Sequence, residues 1–333
     1  MNKNALFVFL AFCAMIFCTC CSNEDPKPGI EDPITNYENP IPVEIENISF
    51  DNYPIVDGST STSILSVMVA CNLLNISYWW LEPGIFTDWS LQPRYNDLPE
   101  QHKDFFGEKV KSSQTHGAFM NLIDGNADII LTHRTISANE KAYADAAGVT
   151  LIETPVASDA FVFVVNIKNP VKSLTVSQIQ KIYTGEITNW SQVGGKNASI
   201  KVFTRPRDSG SEEVLRELVM DGIEPAEFPE SGIGGMSQVF GEIFYNEDAI
   251  CYTFNNYKNM QARVPDSEVP KIAINNIFPD EKTVQNKTYP FISEVHVAIR
   301  SDLDHNSMAY KLYEFLLSDD AKPIYEACGF ITR

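Results

Sequence analysis

The sequence predicts an α/β fold divided between two domains, and three observations predict it. Strand patterns alternate with helix patterns, and at several joints a strand runs through a hydroxyl-rich loop into a helix. About 290 residues remain once an N-terminal leader and tether are set aside, enough for two domains. Thr150 to Asn166 is a nearly continuous apolar run, broken only at Ala157-Ser158-Asp159. A buried parallel strand crossing between two lobes reads that way.

Met1 to Cys21 reads as a leader. Lys3 gives a short positive start, and the apolar run Ala5 to Phe17 is too short to span a bilayer comfortably. It ends in Cys18-Thr19-Cys20-Cys21 followed by Ser-Asn-Glu-Asp. This resembles a bacterial lipoprotein signal, in which cleavage before a Cys leaves that thiol to be lipidated. Cys21 is the expected lipidation residue, because polar chain starts directly after it; Cys20 is second. The pair Glu24-Asp25 resembles the export signal of surface lipoproteins in Bacteroides-like bacteria. An ordinary secretory signal or an uncleaved anchor is the alternative. Residues 22–46 are Pro- and acid-rich without apolar periodicity and read as a flexible tether.

The formal charge is −19, and no basic run appears, which argues against a nucleic-acid ligand. A small anion stays open, because local dipoles and hydroxyls act over short range. After the leader, the cysteines are Cys71, Cys251 and Cys328, each in an apolar run. An odd number argues against a complete disulfide framework, and buried thiols are the expectation. No metal-ligand spacing, Ser-His-Asp order or acid pair stands out, so neither a metal, a cofactor nor an enzyme is expected.

The first strand, Asn47 to Val56, leads through Asp57-Gly58-Ser59-Thr60-Ser61-Thr62-Ser63 into an apolar helix, Ile64 to Leu74. Ile76 to Phe106 follows, rich in aromatics and Pro and without a period; it reads as a packed insertion or a partner-docking flap. A second hydroxyl loop, Ser112 to Gly117, leads into the helix Ala118 to Asp124. The strand ending at Thr132 then presents His133 and Arg134 at its carboxyl end, where open α/β sheets bind ligands. Leu174 to Tyr183 is an amphipathic helix with Ser177 as cap and Gly185 past its end. A turn at Val193-Gly194-Gly195 and a strand, Ser199 to Thr204, lead to the loop Arg205-Pro206-Arg207-Asp208-Ser209-Gly210-Ser211 at a helix start. Amides and hydroxyls there suit an oxyanion, although a plain helix cap has the same composition. Ala249 to Thr253 is a candidate return crossing. Tyr289 to Arg300 is a strand, and Asn306 to Leu317 and Ala321 to Cys328 are helices, the last ending at Gly329.

The stretch LTVSQIQKIYTGEITNWSQVGG, followed by IKVFTRPRDSGSEEVLRELV, resembles the signature of the phosphate-binding proteins of bacterial ABC importers. GSTS at Gly58 to Ser61, the GNADI stretch before Arg134, YNEDAICY and the C-terminal YEFLLSDDAKPIYEACGFI fall in the same order. The resemblance implies a two-lobe type II periplasmic-binding-protein fold, each lobe a mixed sheet flanked by helices. It places residues 47–158 plus 254–333 in lobe 1 and residues 159–253 in lobe 2. It implies a lipid-anchored, monomeric protein in the cell envelope that captures phosphate or a similar oxyanion and serves an ABC permease. The implied ligands are Ser59, Thr60, Ser61, Thr115, Arg205, Ser209, Gly210 and Ser211. Two further implied ligands are His133, which stands where many members hold a discriminating carboxylate, and Arg134, which fits other members that have an Arg one position on; Asp208 stands where the family usually has Gly. The alternative is a surface or sensor lipoprotein of the same fold with another ligand or a protein partner.

Overall fold

The computed structural model describes residues 36–82, 88–228 and 233–333. The expected leader, both lipidation candidates and most of the tether lie outside these residues. Residues 37–333 form one compact unit.

The strands are β1 (Val56–Gly58), β2 (Tyr78–Leu81), β3 (Ser90–Pro93), β4 (Ile129–Thr132), β5 (Leu151–Val165), β6 (Ser173–Leu174), β7 (Lys201–Val202), β8 (Ala249–Phe254), β9 (Ala273–Ile274), β10 (Ile292–Arg300) and β11 (Ile331–Thr332). The helices are α1 (Ser63–Leu73), α2 (Phe105–Lys109), α3 (Gln114–Ile123), α4 (Ala138–Ala147), α5 (Val176–Tyr183), α6 (Gly210–Val214), α7 (Gln238–Tyr245), α8 (Glu281–Gln285), α9 (Met308–Leu317) and α10 (Lys322–Ala327). Among the described residues the main sheet has seven strands, in the order β1-β4-β10-β5-β8-β7 with β11 beside β5. Its two ends are parallel pairs, β1 with β4 and β7 with β8.

The fold is α/β as expected, but its long strand differs. β5 is antiparallel to β10, to β8 and to β11. A continuous apolar run reports burial on both faces, not the direction of the neighbours. The first strand also differs: only Val56–Gly58 is strand. Ahead of it the chain turns at Asn47, whose φ is 64°, and Ser49 N donates to Asn52 Oδ1 at 2.8 Å. The cap of α5 is Thr175 rather than Ser177. Its hydroxyl accepts from Gln178 N while the Gln178 side chain accepts from Thr175 N, a reciprocal box.

Apolar side chains collect into two large cores. One draws on residues 45–157 and 295–330, including Leu65, Phe105, Leu131 and Leu316. The other draws on residues 160–291, including Phe163, Tyr183, Trp190 and Ile250. β5 serves both, passing from Ala157 in the first to Ala160 in the second. A bulge opposite Val295/His296 bends it just before that passage. β8, where the return crossing was expected, lies wholly in the second core. Past β8 the chain touches the first core at Met260, rejoins the second from Val269 to Phe291, and leaves it along β10.

Cys71, Cys251 and Cys328 are free and buried, as the sequence suggests. Among the described residues no helix is long and apolar enough to cross a membrane.

Candidate functional site

The site is built from the carboxyl ends of neighbouring strands. β1 and β4 run parallel, so the loops after Gly58 and Thr132 emerge side by side. Gly58 permits this: a Cβ there would lie 2.7 Å from Leu131 O and 2.9 Å from Thr62 Oγ1. The buried Asp57 carboxylate joins the first two loops. It accepts from Gly58 N at 2.7 Å, from Ser113 N at 2.9 Å and from Asn121 Nδ2 at 2.7 Å. Ser59 to Ser61 open the turn that becomes α1. Thr115 sits in the first turn of α3, after Gln114 with a φ of 64°. That left-handed backbone at a non-glycine residue is the kind of strain that gathers at ligand sites. The helix starts of α1, α3 and α6 each leave early amides without intrahelical partners.

These loops converge on one cavity of about 220 Å³, lined by Ser59, Thr60, Ser61, Thr115, Arg205, Ser209, Gly210 and Ser211. Eight of the expected ligands therefore meet in one place. Asp88, Gln114, residues 234–237, Phe254 and Tyr257 complete the lining. Gly210 packs so closely on Thr115 that a Cβ would overlap the threonine hydroxyl. Ser209 caps α6, accepting from Glu212 N at 3.3 Å.

Arg205 supplies the positive charge. Its Nε and Nη1 are shielded from solvent and have no hydrogen-bond partner. Burial pulls the guanidinium below the ordinary arginine value, opposed by Tyr252 and other neighbours. Glu212 accepts from the Arg205 backbone amide at 3.4 Å, from the Tyr252 hydroxyl and from Arg216 Nε at 3.0 Å. A shielded cation with unused donors is costly unless an anion completes it. Asp208 is exposed and does not line the cavity.

His133 and Arg134 do not line this cavity. Arg134 makes a fork to Glu140, with Nη1–Oε2 and Nη2–Oε1 both 2.7 Å, and both side chains are buried. Burial pushes the Glu140 carboxyl up, but the bonds and charge of Arg134, with the Ser137 amide, outweigh it and hold it below the ordinary value. The Arg134 charge is thus committed within the protein. His133 stands behind the site: its Nδ1 lies 2.7 Å from Ser61 Oγ and its Nε2 3.4 Å from Asp159 Oδ2. A serine, a histidine and an aspartate therefore do meet in space, although their order did not stand out in the sequence. Among the described residues three larger cavities are found, of about 460 Å³ beside Lys271, about 420 Å³ beside His133 and Arg134, and about 240 Å³ beside Arg207 and Arg216. Arg134 is paired with Glu140, and Arg207 and Arg216 with Glu224, so none of the three joins hydroxyls of several loops to an unpaired guanidinium, and size does not mark the site here.

The aromatic insertion supplies what the sequence reading missed. β2 and β3 form a hairpin with Tyr78 and Leu91 buried in the first core. Residues 83–87 lie outside the described residues. Arg263 stacks on Trp89 at 3.9 Å and Trp80 at 4.5 Å, and Trp89 N donates to Gln261 O at 2.9 Å. Asp88 is thereby placed in the cavity wall, where Tyr257 donates its hydroxyl to Oδ2. Burial raises the Asp88 carboxyl above its ordinary value, and the Tyr257 bond opposes this.

A family model described as PBP superfamily domain matches residues 86–320. The chain belongs to that superfamily. The phosphate-binding protein PstS of Bacillus subtilis (strain 168) is 28% identical over 209 residues, covering 62% of this chain and 63% of that protein. The chain therefore spans just under two thirds of that relative. PstS of Borreliella burgdorferi is 25% identical over 244 residues, covering 72% of this chain and 82% of that one. Among solved structures, a putative phosphate ABC transporter substrate-binding protein from Clostridium perfringens, with bound phosphate, superposes with a TM-score of 0.61 at 23% identity. It covers 84% of this chain and 99% of that one. An ABC-type phosphate transport receptor from Vibrio cholerae gives 0.58 at 24% identity, covering 84% and 100%. At these identities the structures establish the shared fold, that of the type II periplasmic binding proteins.

Proposed function

We propose that this superfamily member is a solute-binding protein that holds phosphate, or a similar tetrahedral oxyanion, in the cavity of Arg205 and hands it to an ABC permease. The observation that carries this reading is the unpartnered Arg205 guanidinium facing hydroxyls from three separate loops. Such a set satisfies a compact anion with many lone pairs. The cavity is also smaller than the roughly 300–1,000 Å³ usual for larger organic ligands. The relatives named for phosphate binding support the same ligand class.

Asp88 favours an oxyanion that retains a proton. A carboxylate repels a fully ionised ligand but accepts a hydrogen bond from a protonated one. The two cores are the natural lobes, with residues 269–291 grouped with the second and β5 and β10 as the links. Closure about these strands brings Gly210 onto Thr115 around the ligand. The role is capture without turnover by a monomer, carried outside the cytoplasm on a lipid at Cys21 or Cys20.

Calorimetric titration of the purified protein, stripped of bound anion, tests the reading. Phosphate and arsenate should bind and sulfate should bind far more weakly. No heat with phosphate, sulfate, arsenate or molybdate would remove it.

A further inference from the structure

Three hydroxyls cluster at the edge of the anion cavity, and their protons can be followed one at a time. Thr62 Oγ1 donates to Leu131 O at 2.7 Å, which turns its proton away. Ser59 Oγ lies 3.0 Å from Thr62 Oγ1 and 3.1 Å from Ser61 Oγ. Ser61 Oγ lies 2.7 Å from His133 Nδ1, and the direction of that bond depends on which ring nitrogen is protonated.

The far side of the ring decides it. Asp159 Oδ2 stands 3.4 Å from Nε2, close enough for a strong electrostatic effect but not aligned as a hydrogen bond. A bare lone pair on Nε2 would face a buried carboxylate, whereas an N–H there is attracted to it. Asp159 cannot turn away, because its carboxylate accepts from Ala160 N at 2.8 Å and from Asn256 N at 3.1 Å. The imidazole cannot turn either. It stacks on Phe254 at 4.2 Å and packs on Phe330 at 5.5 Å. The proton therefore sits on Nε2, Nδ1 accepts, and Ser61 donates to His133.

We propose that Ser61, His133 and Asp159 form a buried relay that presents Ser61 Oγ to the anion cavity as a hydrogen-bond acceptor, so that the site selects an oxyanion carrying a proton. The proposal rests on the anion-site reading and extends it to selectivity. A fully ionised oxyanion beside Ser61 meets lone pair against lone pair, whereas a protonated one donates. His133 is a positioning residue, acting through Ser61. Asp159 on β5 and His296 on β10 are the titratable groups that face the ring. Phe254 and Phe330 carry no charge, and Arg134 is paired with Glu140. On the outer side Lys287, Glu217 and Glu294 line the neighbouring cavity.

The first test is ¹⁵N-histidine NMR of the full chain at about pH 8, with the His133 signals identified by their loss in His133→Asn. Nε2 should be protonated and Nδ1 bare; the opposite tautomer overturns the relay. The second is the ratio of phosphate to sulfate affinity. His133→Asn keeps an acceptor for Ser61, so it should keep the wild-type ratio. His133→Phe fits the aromatic stack without an acceptor, and sulfate should gain about tenfold relative to phosphate, the worth of one hydrogen bond. If wild type discriminates and His133→Phe folds with an unchanged ratio, the relay is overturned while the anion site stands. If wild type binds no oxyanion, both fall. Should His133→Phe fail to fold, the tautomer of wild-type His133 decides: a proton on Nδ1 overturns the relay.

Discussion

Replacing Arg205 with alanine removes the one cation that the described residues place in the wall of the anion cavity, and the structure sets what that should cost. Nε and Nη1 are shielded and unpartnered in the unliganded protein, so both are available to a ligand. A hydrogen bond from a charged donor contributes about 1.5–3 kcal/mol, so two contribute about 3–6 kcal/mol. At about 1.4 kcal/mol per tenfold, the dissociation constant should rise by about 10²–10⁴. Because Arg205 is only partly buried, the lower part of that range is the expectation. The effect on the empty protein should have the opposite character. Burial already works against this charge, and no carboxylate forms a salt bridge with it among the described residues. Removing it should leave the melting temperature without phosphate unchanged or slightly higher. Calorimetry and paired thermal melts, with and without phosphate, read both parts. A dissociation constant within about threefold of wild type would refute the argument from unused donors. A large fall in melting temperature without ligand would refute the argument that the charge awaits its partner.

Gly210→Ala tests closure. The added methyl overlaps the Thr115 hydroxyl, so phosphate affinity should fall by about 10–100-fold, the equivalent of 1–3 kcal/mol of overpacking; unchanged affinity by calorimetry would mean the two loops part easily. Asp88→Asn removes the carboxylate from the wall, and sulfate affinity should rise by about tenfold or more while phosphate gains less; competition binding of the two anions would expose an unaltered preference. Arg134→Ala leaves Glu140 buried without its fork, so stability by denaturant titration should drop by about 3–5 kcal/mol, with phosphate affinity little changed if Arg134 is no ligand. The Glu140 carboxyl is held below its ordinary value, so its contribution is present above the unfolded value and is lost as pH falls through the folded one. Melting curves of wild type and Glu140→Gln should therefore converge in acid, and a constant gap across pH would contradict the pairing.

The parts of the site that were legible in the sequence are those carried by short, local patterns. Strand-to-helix joints with clustered hydroxyls placed Ser59 to Ser61, Thr115 and Ser209 to Ser211, and the family-like order brought them together with Arg205. Asp88 was not legible, because its stretch has no period and its place depends on a hairpin pinned by Arg263 and Trp89. His133 and Arg134 stay out of the cavity wall for a different reason. Position at a strand end brings a side chain near a site but says nothing of competing partners, and Glu140 and Ser61 claim these two. Asp159 did leave a signal as the polar break in β5, yet only the packed structure turns that break toward the imidazole. The direction of β5 was hidden because burial on both faces looks the same for parallel and antiparallel neighbours.

The central claim is tested most directly by a crystal structure of the protein grown with phosphate. The account predicts one anion in the smaller cavity, hydrogen-bonded to Arg205 Nε and Nη1 and to hydroxyls of the Ser59, Thr115 and Ser209 loops. Phosphate bound instead in the larger cavity beside His133 and Arg134, with Arg205 still unpartnered, would contradict it.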